Sequence, residues 1–241
     1  MTIPLETQTI PEHIHGYPDL AFGGYVAGML AARATGDTLR VDFRRAVPVS
    51  TPVVLIAEDE GASLLAPDGT LLVEAAPSAL SIDAVPAPPL SEARAATARA
   101  LSAPERRVTD CYGCGVGCPP GRGLRLFAWA IPERRVTAAA WTPDAGLAGE
   151  NGELPPETVW SALDCPGGIA AWVYAEMGMG AFTAALTARQ LRPMFAGTEY
   201  ISHAWPIDRD GRKHTVGVAL STAEGELCAL AEALWIEPRA E

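Results

Sequence analysis

Arg45-Ala46-Val47-Pro48-Val49-Ser50-Thr51 and Arg192-Pro193-Met194-Phe195-Ala196-Gly197-Thr198 decide how the chain is organised. Each lies among strand-like stretches behind a helix candidate, so the chain reads as two copies of one unit. Between the copies, Ala84-Val85-Pro86-Ala87-Pro88-Pro89 is a stiff, extended linker. Behind it, Ser91 is placed to cap a short Ala-rich helix from Glu92 to Leu101, ending near Pro104. The expected division is an N-terminal half over 1–83, a linker with its helix over 84–108, and a C-terminal half over 109–241.

In the first half a helix opens at Phe22-Gly23-Gly24 and runs to about Thr35, where Gly36 stops it. Strand-like stretches follow at Thr38 to Ala46, Pro52 to Glu58, Ala62 to Ala66 and Leu71 to Ala79, with Pro67-Asp68-Gly69 as a turn. In the second half a strand pair, Arg122 to Ala130 and Arg135 to Trp141, precedes a longer helix from Pro156 to Met177. Strands are expected again at Phe182 to Leu191, Thr198 to Trp205, His214 to Ser221 and Glu226 to Ile236, with turns at Asp208 to Gly211 and Glu224-Gly225. One helix wrapped by a curved antiparallel sheet leaves apolar surface open at its edge. Two such units side by side form one continuous sheet carrying two helices, an α+β architecture.

Composition narrows the function. The chain has 241 residues, 49% hydrophobic and 20% charged, which suits a packed core and argues against disorder. A net charge of -11 repels phosphate backbones, so nucleic acid is not an expected partner. No apolar run approaches the roughly 20 residues of a membrane span. Met1-Thr2-Ile3-Pro4-Leu5-Glu6 has no basic segment leading into an apolar one, and five cysteines are an odd number for a disulfide framework. A cytoplasmic protein is expected, free of membrane and nucleic acid.

Two stretches carry chemistry. In His15-Gly16-Tyr17-Pro18-Asp19-Leu20-Ala21-Phe22-Gly23-Gly24-Tyr25, paired glycines at a helix start leave backbone N–H groups open to a developing oxyanion. The competing reading is a glycine pair needed only for close packing. In Pro155-Pro156-Glu157-Thr158-Val159-Trp160-Ser161-Ala162-Leu163-Asp164-Cys165-Pro166-Gly167-Gly168-Ile169, Asp164 lies in an otherwise apolar helix, where a lone carboxylate is costly unless it is paired or used. The competing reading is an exposed Asp at a break before Pro166, whose ring implies a kink there.

Phe22-Gly23-Gly24-Tyr25-Val26-Ala27 resembles the first helix start of acyl-CoA thioesterase II type proteins, which are double hotdogs. Cys111-Tyr112-Gly113-Cys114-Gly115, Gly123-Leu124-Arg125-Leu126 and the helix bearing Asp164 resemble hotdog thioesterases of the phenylacetate-pathway type. The resemblance implies a tandem hotdog fold, with two central helices on a continuous curved antiparallel sheet. It also implies hydrolysis of an acyl thioester, with no metal and no cofactor beyond the coenzyme A of the substrate. Such domains carry His-Gly-Gly at the helix start and an Asp or Glu two turns later. In the first half that acidic position falls near Ala31; in the second, Asp164 is present but the glycine start has become Pro155-Pro156-Glu157.

Geometry reconciles these complementary losses. Two helical turns span about 12 Å, too far for a helix start and its own acid to meet one thioester carbon. Antiparallel helices would set Gly23 and Gly24 against Asp164, and Ala31 against prolines, which have no N–H. One live and one dead site are expected. The Gly24 or Gly23 N–H would polarise the carbonyl, a donor worth about 3 kcal/mol of barrier, and Asp164 would act as general base or nucleophile. Thr187, on the following strand, is the candidate for orienting water. Phe22, Tyr25 and Trp160 are candidates for the acyl group, and Arg45 and Arg192 for the phosphates of coenzyme A.

Cys111, Cys114 and Cys118 show a C-x2-C spacing, but a closed zinc site wants four ligands and no second such pair follows, so no metal is expected. Cys165 reads as core packing. Two further functions remain open. His15 with Asp164 would suit a hotdog dehydratase or hydratase, and Trp160, Trp172 and Trp205 would suit an acyl-binding module without turnover. Association of such pseudo-dimers into a homo-oligomer also stays open.

Overall fold

The computed structural model describes residues 5–103 and 109–239; Met1 to Pro4 and the expected helix stop at Pro104 lie outside them. The first half supplies β1 (Leu5–Thr9), a short hairpin of β2 (His15–Tyr17) and β3 (Leu20–Ala21), and α1 (Gly23–Ala31). It continues through β4 (Leu39–Phe43), β5 (Pro52–Ala57), β6 (Ala62–Leu65) and β7 (Leu71–Pro77). After the linker comes α2 (Leu90–Ser102). The second half supplies β8 (Trp129–Ile131), β9 (Val136–Trp141), α3 (Pro156–Ala162) and α4 (Cys165–Tyr174). Then follow β10 (Phe182–Gln190), β11 (Tyr200–Asp210), β12 (Lys213–Thr222) and β13 (Leu227–Ile236).

Apart from the β2–β3 hairpin, the strands form one antiparallel sheet in the order β1-β5-β6-β7-β4-β10-β13-β12-β11-β9-β8. The halves join at β4 and β10, with Val41 opposite Leu186 and Arg40 opposite Thr187. Outward from that pair the two arms repeat each other, β4-β7-β6-β5-β1 against β10-β13-β12-β11-β9, and β8 extends the second. Backbone bonds repeat as well. The N–H groups of Arg44 and Arg45 both reach the Leu72 carbonyl, and those of Leu191 and Arg192 both reach the Cys228 carbonyl. Ala21 N–H donates to Val47 as Leu154 N–H donates to Met194. Carried along the helices, that equivalence sets Gly23 against Pro156, Gly24 against Glu157 and Ala31 against Asp164.

The two halves bury their sheets differently. In β5, buried Val53 and Leu55 alternate with less buried neighbours, the signature of one covered face. In β11, Tyr200 to Trp205 are all buried, because both faces are covered. α4 lies on one face. On the other, the linker and α2 bring Leu80, Ile82, Val85, Ala93 and Ala96 against Ile201, Trp205, Ala219 and Leu230. The linker is therefore a strap over the sheet and not a free spacer.

Several elements differ from expectation. The residues from Arg122 to Ala128 run without strand pairing, so the expected strand shrinks to β8. α2 begins one residue ahead of Ser91, with Pro89 at its N-cap and no side-chain cap; the Pro89 carbonyl accepts from Glu92 and Ala93 instead. α1 ends at Ala31, short of Thr35. The second central helix stops at Tyr174 and breaks in two at Leu163-Asp164, two residues ahead of Pro166. β11 and β12 pair out to Asp210 and Lys213, beyond the expected turn at Asp208. No helix among the described residues is long and apolar enough to cross a membrane.

One bond pins the strap. His203 Nε2 lies 2.8 Å from the Val85 carbonyl, so that nitrogen carries the proton, and the ring stacks on Trp205 at 5.7 Å. Burial pushes its pKa below the ordinary 6.5, only partly offset by the Val85 bond. As pH falls below 6.5 the unfolded chain takes up a proton that the folded chain refuses, and stability is lost. Denaturant midpoints measured between about pH 7.5 and 5.5 should fall more steeply for wild type than for His203→Phe. Equal slopes would show that His203 protonates as easily in the fold as outside it.

Candidate active site

α1 and α3 run antiparallel in close contact, and glycine makes the approach feasible. A Cβ on Gly24 would stand 2.6 Å from Ser161 Cα and 2.8 Å from the Trp160 carbonyl oxygen; one on Gly28 would stand 2.4 Å from Glu157 Cα. These are overlaps with backbone, which cannot swing aside. Close packing therefore demands glycine at Gly24, helix against helix, and the same approach brings its N–H to Asp164.

Asp164 sits at the break between α3 and α4, 2% exposed. Its side chain makes no cap to its own helix. It crosses the seam instead: the Gly24 N–H donates to Oδ2 at 2.7 Å, and the Thr183 hydroxyl donates to Oδ1 at 2.6 Å. Gly23 lies alongside, its missing Cβ 3.2 Å from Oδ2. Burial pushes the carboxyl pKa up to about 6, while the Thr183 and Gly24 bonds pull the other way. A buried carboxylate held in this balance between two halves of a fold marks a candidate site.

Tyr17 and Phe182 flank Thr183. The Tyr17 hydroxyl donates to the Ala181 carbonyl at 2.7 Å, joining the halves, and its ring packs on Phe182 at 4.9 Å. Phe182 is 45% exposed, so this aromatic pair reaches solvent beside the carboxylate.

Some expected site residues lie elsewhere. Thr187 is buried on the opposite sheet face, where its hydroxyl accepts from Arg40 at 3.5 Å. The hydroxyl at Asp164 belongs to Thr183. The β-bulge between Thr183 and Ala185 re-aims that end of β10, which simple alternation could not show. Phe22 and Tyr25 pack on Tyr112, at 5.6 and 5.9 Å, and Trp160 is core. Arg45 stands at the Thr183 end of the β4–β10 pair. Arg192 stands at the far end, paired with Glu226 at 2.7 Å. His15 meets the Glu12 carbonyl at 2.7 Å and Asp110 at 3.5 Å, not Asp164. Trp160, Trp172 and Trp205 share no pocket, since Trp172 is half exposed against Trp129 and Trp205 lies under the strap. Cys165, expected as isolated packing, meets Cys111 and Cys114.

Neither a family model nor a curated protein matches the sequence. Solved structures match over nearly the whole chain. A candidate thioesterase from Novosphingobium aromaticivorans is 12% identical, covering 98% of this chain and 96% of that one at a TM-score of 0.66. The tesB protein of Mycobacterium avium subs paratuberculosis is 14% identical, covering 98% and 93% at 0.64. A candidate thioesterase II from Thermobifida fusca is 14% identical, covering 98% and 94% at 0.64. The likeness establishes the fold: this chain is an α+β tandem hotdog.

Thr183→Val keeps the shape of the side chain and removes one of the two donors to the buried carboxylate. It should destabilise the chain by about 1–3 kcal/mol, read as a lower calorimetric midpoint. Gly24→Ala should cost a similar amount through overpacking. An unshifted midpoint in Gly24→Ala would mean the two helices are not this close, and one in Thr183→Val would mean its hydroxyl does not hold the carboxylate.

Proposed function

We propose that the chain is an acyl thioester hydrolase acting on acyl-CoA, with one composite site between its halves. Asp164 carries this reading, as a buried carboxylate held by a helix-start N–H of the other half and by a hydroxyl. Those bonds fix its orientation and leave further lone pairs for water. Asp164 takes the proton as water attacks the thioester carbon, or attacks the carbon itself to give an anhydride that water then opens. The leaving thiolate departs as the free thiol of coenzyme A.

The carbonyl oxygen gains negative charge in either route. The Gly24 N–H is engaged by the carboxylate, so the donor we assign is Gly23, at the first turn where no helical carbonyl precedes it, backed by the positive end of α1. The reciprocal position has Ala31 where the acid would stand and Pro156, which has no N–H, where Gly23 stands, so we assign it no activity. We place the acyl group along Tyr17 and Phe182, and the phosphates of coenzyme A toward Arg45. Coenzyme A enters only as part of the substrate, and the step itself uses no cofactor. The net charge of -11 disfavours an acidic carrier protein, and nucleic acid equally. Five cysteines without a disulfide suit a reducing compartment, so we assign the reaction to the cytoplasm. Thioesterases among the proteins of like fold support the class.

Release of free thiol from a panel of acyl-CoAs tests this, with wild type beside Asp164→Ala and Thr183→Val. Asp164→Ala should lose about 10²–10⁴-fold in kcat while keeping its fold, and Thr183→Val should lose less. Undiminished turnover in Asp164→Ala would remove the residue from the mechanism. A wild type that binds an acyl-CoA without releasing thiol would make the protein a binding module.

A further inference from the structure

We propose that Cys111, Cys114 and Cys165 form a three-thiolate site for zinc, tying the loop ahead of β8 to the start of α4. The site is independent of the hydrolase reading. The three sulfurs all lie within 4.8 Å of one another, though Cys165 is far from the other two in sequence. Tetrahedral zinc at about 2.3 Å from each sulfur sets its sulfurs about 3.8 Å apart, so a contraction of roughly 1 Å closes the site.

The backbone is shaped for this gathering without help from the sulfurs. Gly115 N–H donates to the Cys111 carbonyl at 2.7 Å. A Cβ on Gly115 would stand 2.6 Å from that oxygen and 2.7 Å from the Cys111 nitrogen, so the chain folds tightly back over its own first cysteine. A Cβ on Gly113 would stand 2.7 Å from the Phe22 ring and 3.0 Å from Cys165 Cβ. Only glycine lets the turn lie flat between them. Cys165 opens α4, which carries its sulfur against the turn that holds Cys111 and Cys114.

The chemistry of the trio agrees. Cys111 bonds to both Cys114 and Cys165; the Cys114 bond and burial push its pKa up to about 12 while the Cys165 bond pulls the other way, and the bonds of Cys165 to Cys111 and Cys114, with burial, push its own pKa well above its usual value. Binding Zn²⁺ releases three thiol protons to the buffer, forms three Zn–S bonds and leaves a net charge of -1. Cys114 and Cys165 are only partly buried, which gives an ion a way in. Three thiolates leave one coordination position for water. Asp164 is next in sequence to Cys165, but its carboxylate is held by Gly24 and Thr183. Cys118 turns away, its thiol directed at the Asp110 and Cys111 carbonyls at 3.3 Å.

The full chain, reduced and stripped with chelator, is titrated with zinc chloride and, in parallel, with cobalt chloride. Wild type should take up one equivalent of either ion, with sulfur-to-cobalt charge-transfer bands and tetrahedral ligand-field bands. Cys165→Ala should bind at least about 100-fold more weakly, while Cys228→Ala, whose buried cysteine lies on β13, should bind as wild type does. Should Cys165→Ala fail to fold, the wild-type cobalt spectrum still decides. Three outcomes would overturn the site: no uptake by reduced wild type at tens of micromolar metal, unchanged affinity in Cys165→Ala, or a mass two hydrogens light in protein isolated without reductant, which would mean a disulfide.

Discussion

The near-contact of α1 with α3 is the constraint on which the rest of the molecule turns. Helix axes usually stay 8–10 Å apart because side chains keep them there. At Gly24 and Gly28 there is no side chain, and the backbones of Ser161 and Glu157 fill the space. That approach brings the Gly24 N–H to Asp164. Without it a carboxylate 2% exposed would face apolar surroundings with the Thr183 hydroxyl alone, a burial that folded proteins avoid. Helix packing and the state of the acid are thus one interaction seen from two sides.

The same contact explains why the duplication is unequal. An antiparallel helix pair across a pseudo-two-fold axis offers two equivalent crossings. At one, glycine meets aspartate; at the other, Gly28 lies against the backbone of Pro156 and Glu157, and Ala31 stands where a second acid would be. Placing an acid in both would bury two carboxylates on facing helices. The sheets are unequal too. The strap and α2 cover the outer face of the second half, so β11 is buried on both sides, whereas β5 keeps the alternation of a strand with one wet face.

How much of this could be read from the chain depends on the range of the interaction. The repeat around Arg45 and Arg192 is local, and it carries the paired halves; the equivalence of Ala31 with Asp164 came from the resemblance to hotdog thioesterases, counted from the helix start. The antiparallel helix pairing followed from the complementary losses of glycine and acid. What stayed hidden was set by tertiary context. Thr183 faces the acid because a bulge re-aims the end of β10, and the spacing from Thr187 contains no trace of that bulge. The break at Leu163-Asp164 comes ahead of Pro166, and the acid that crosses the seam stands there. Cys165 reads as a single residue until α4 carries it against Cys111. The linker has the composition of a spacer, and only the apolar outer face of β11 and β12 shows that it is a strap. Ser91 had the chemistry of a cap, but the Pro89 carbonyl begins the helix earlier.

A division of labour at the start of α1 follows from these contacts. An N–H bonded to a carboxylate is not available to an oxyanion, and the Gly24 N–H is so bonded. In the proposed hydrolysis, anchoring the acid and stabilising developing charge therefore need two adjacent donors, which successive residues at a helix start provide. Their demands differ. Gly24 must lack a side chain because α3 occupies the volume. At Gly23 a Cβ would stand 3.2 Å from Oδ2, on the side where the proposed hydrolysis sets a thioester against the carboxylate. On the proposed function, the paired glycine is thus one requirement of packing and one of chemistry, adjacent because the helix start is where both can be met.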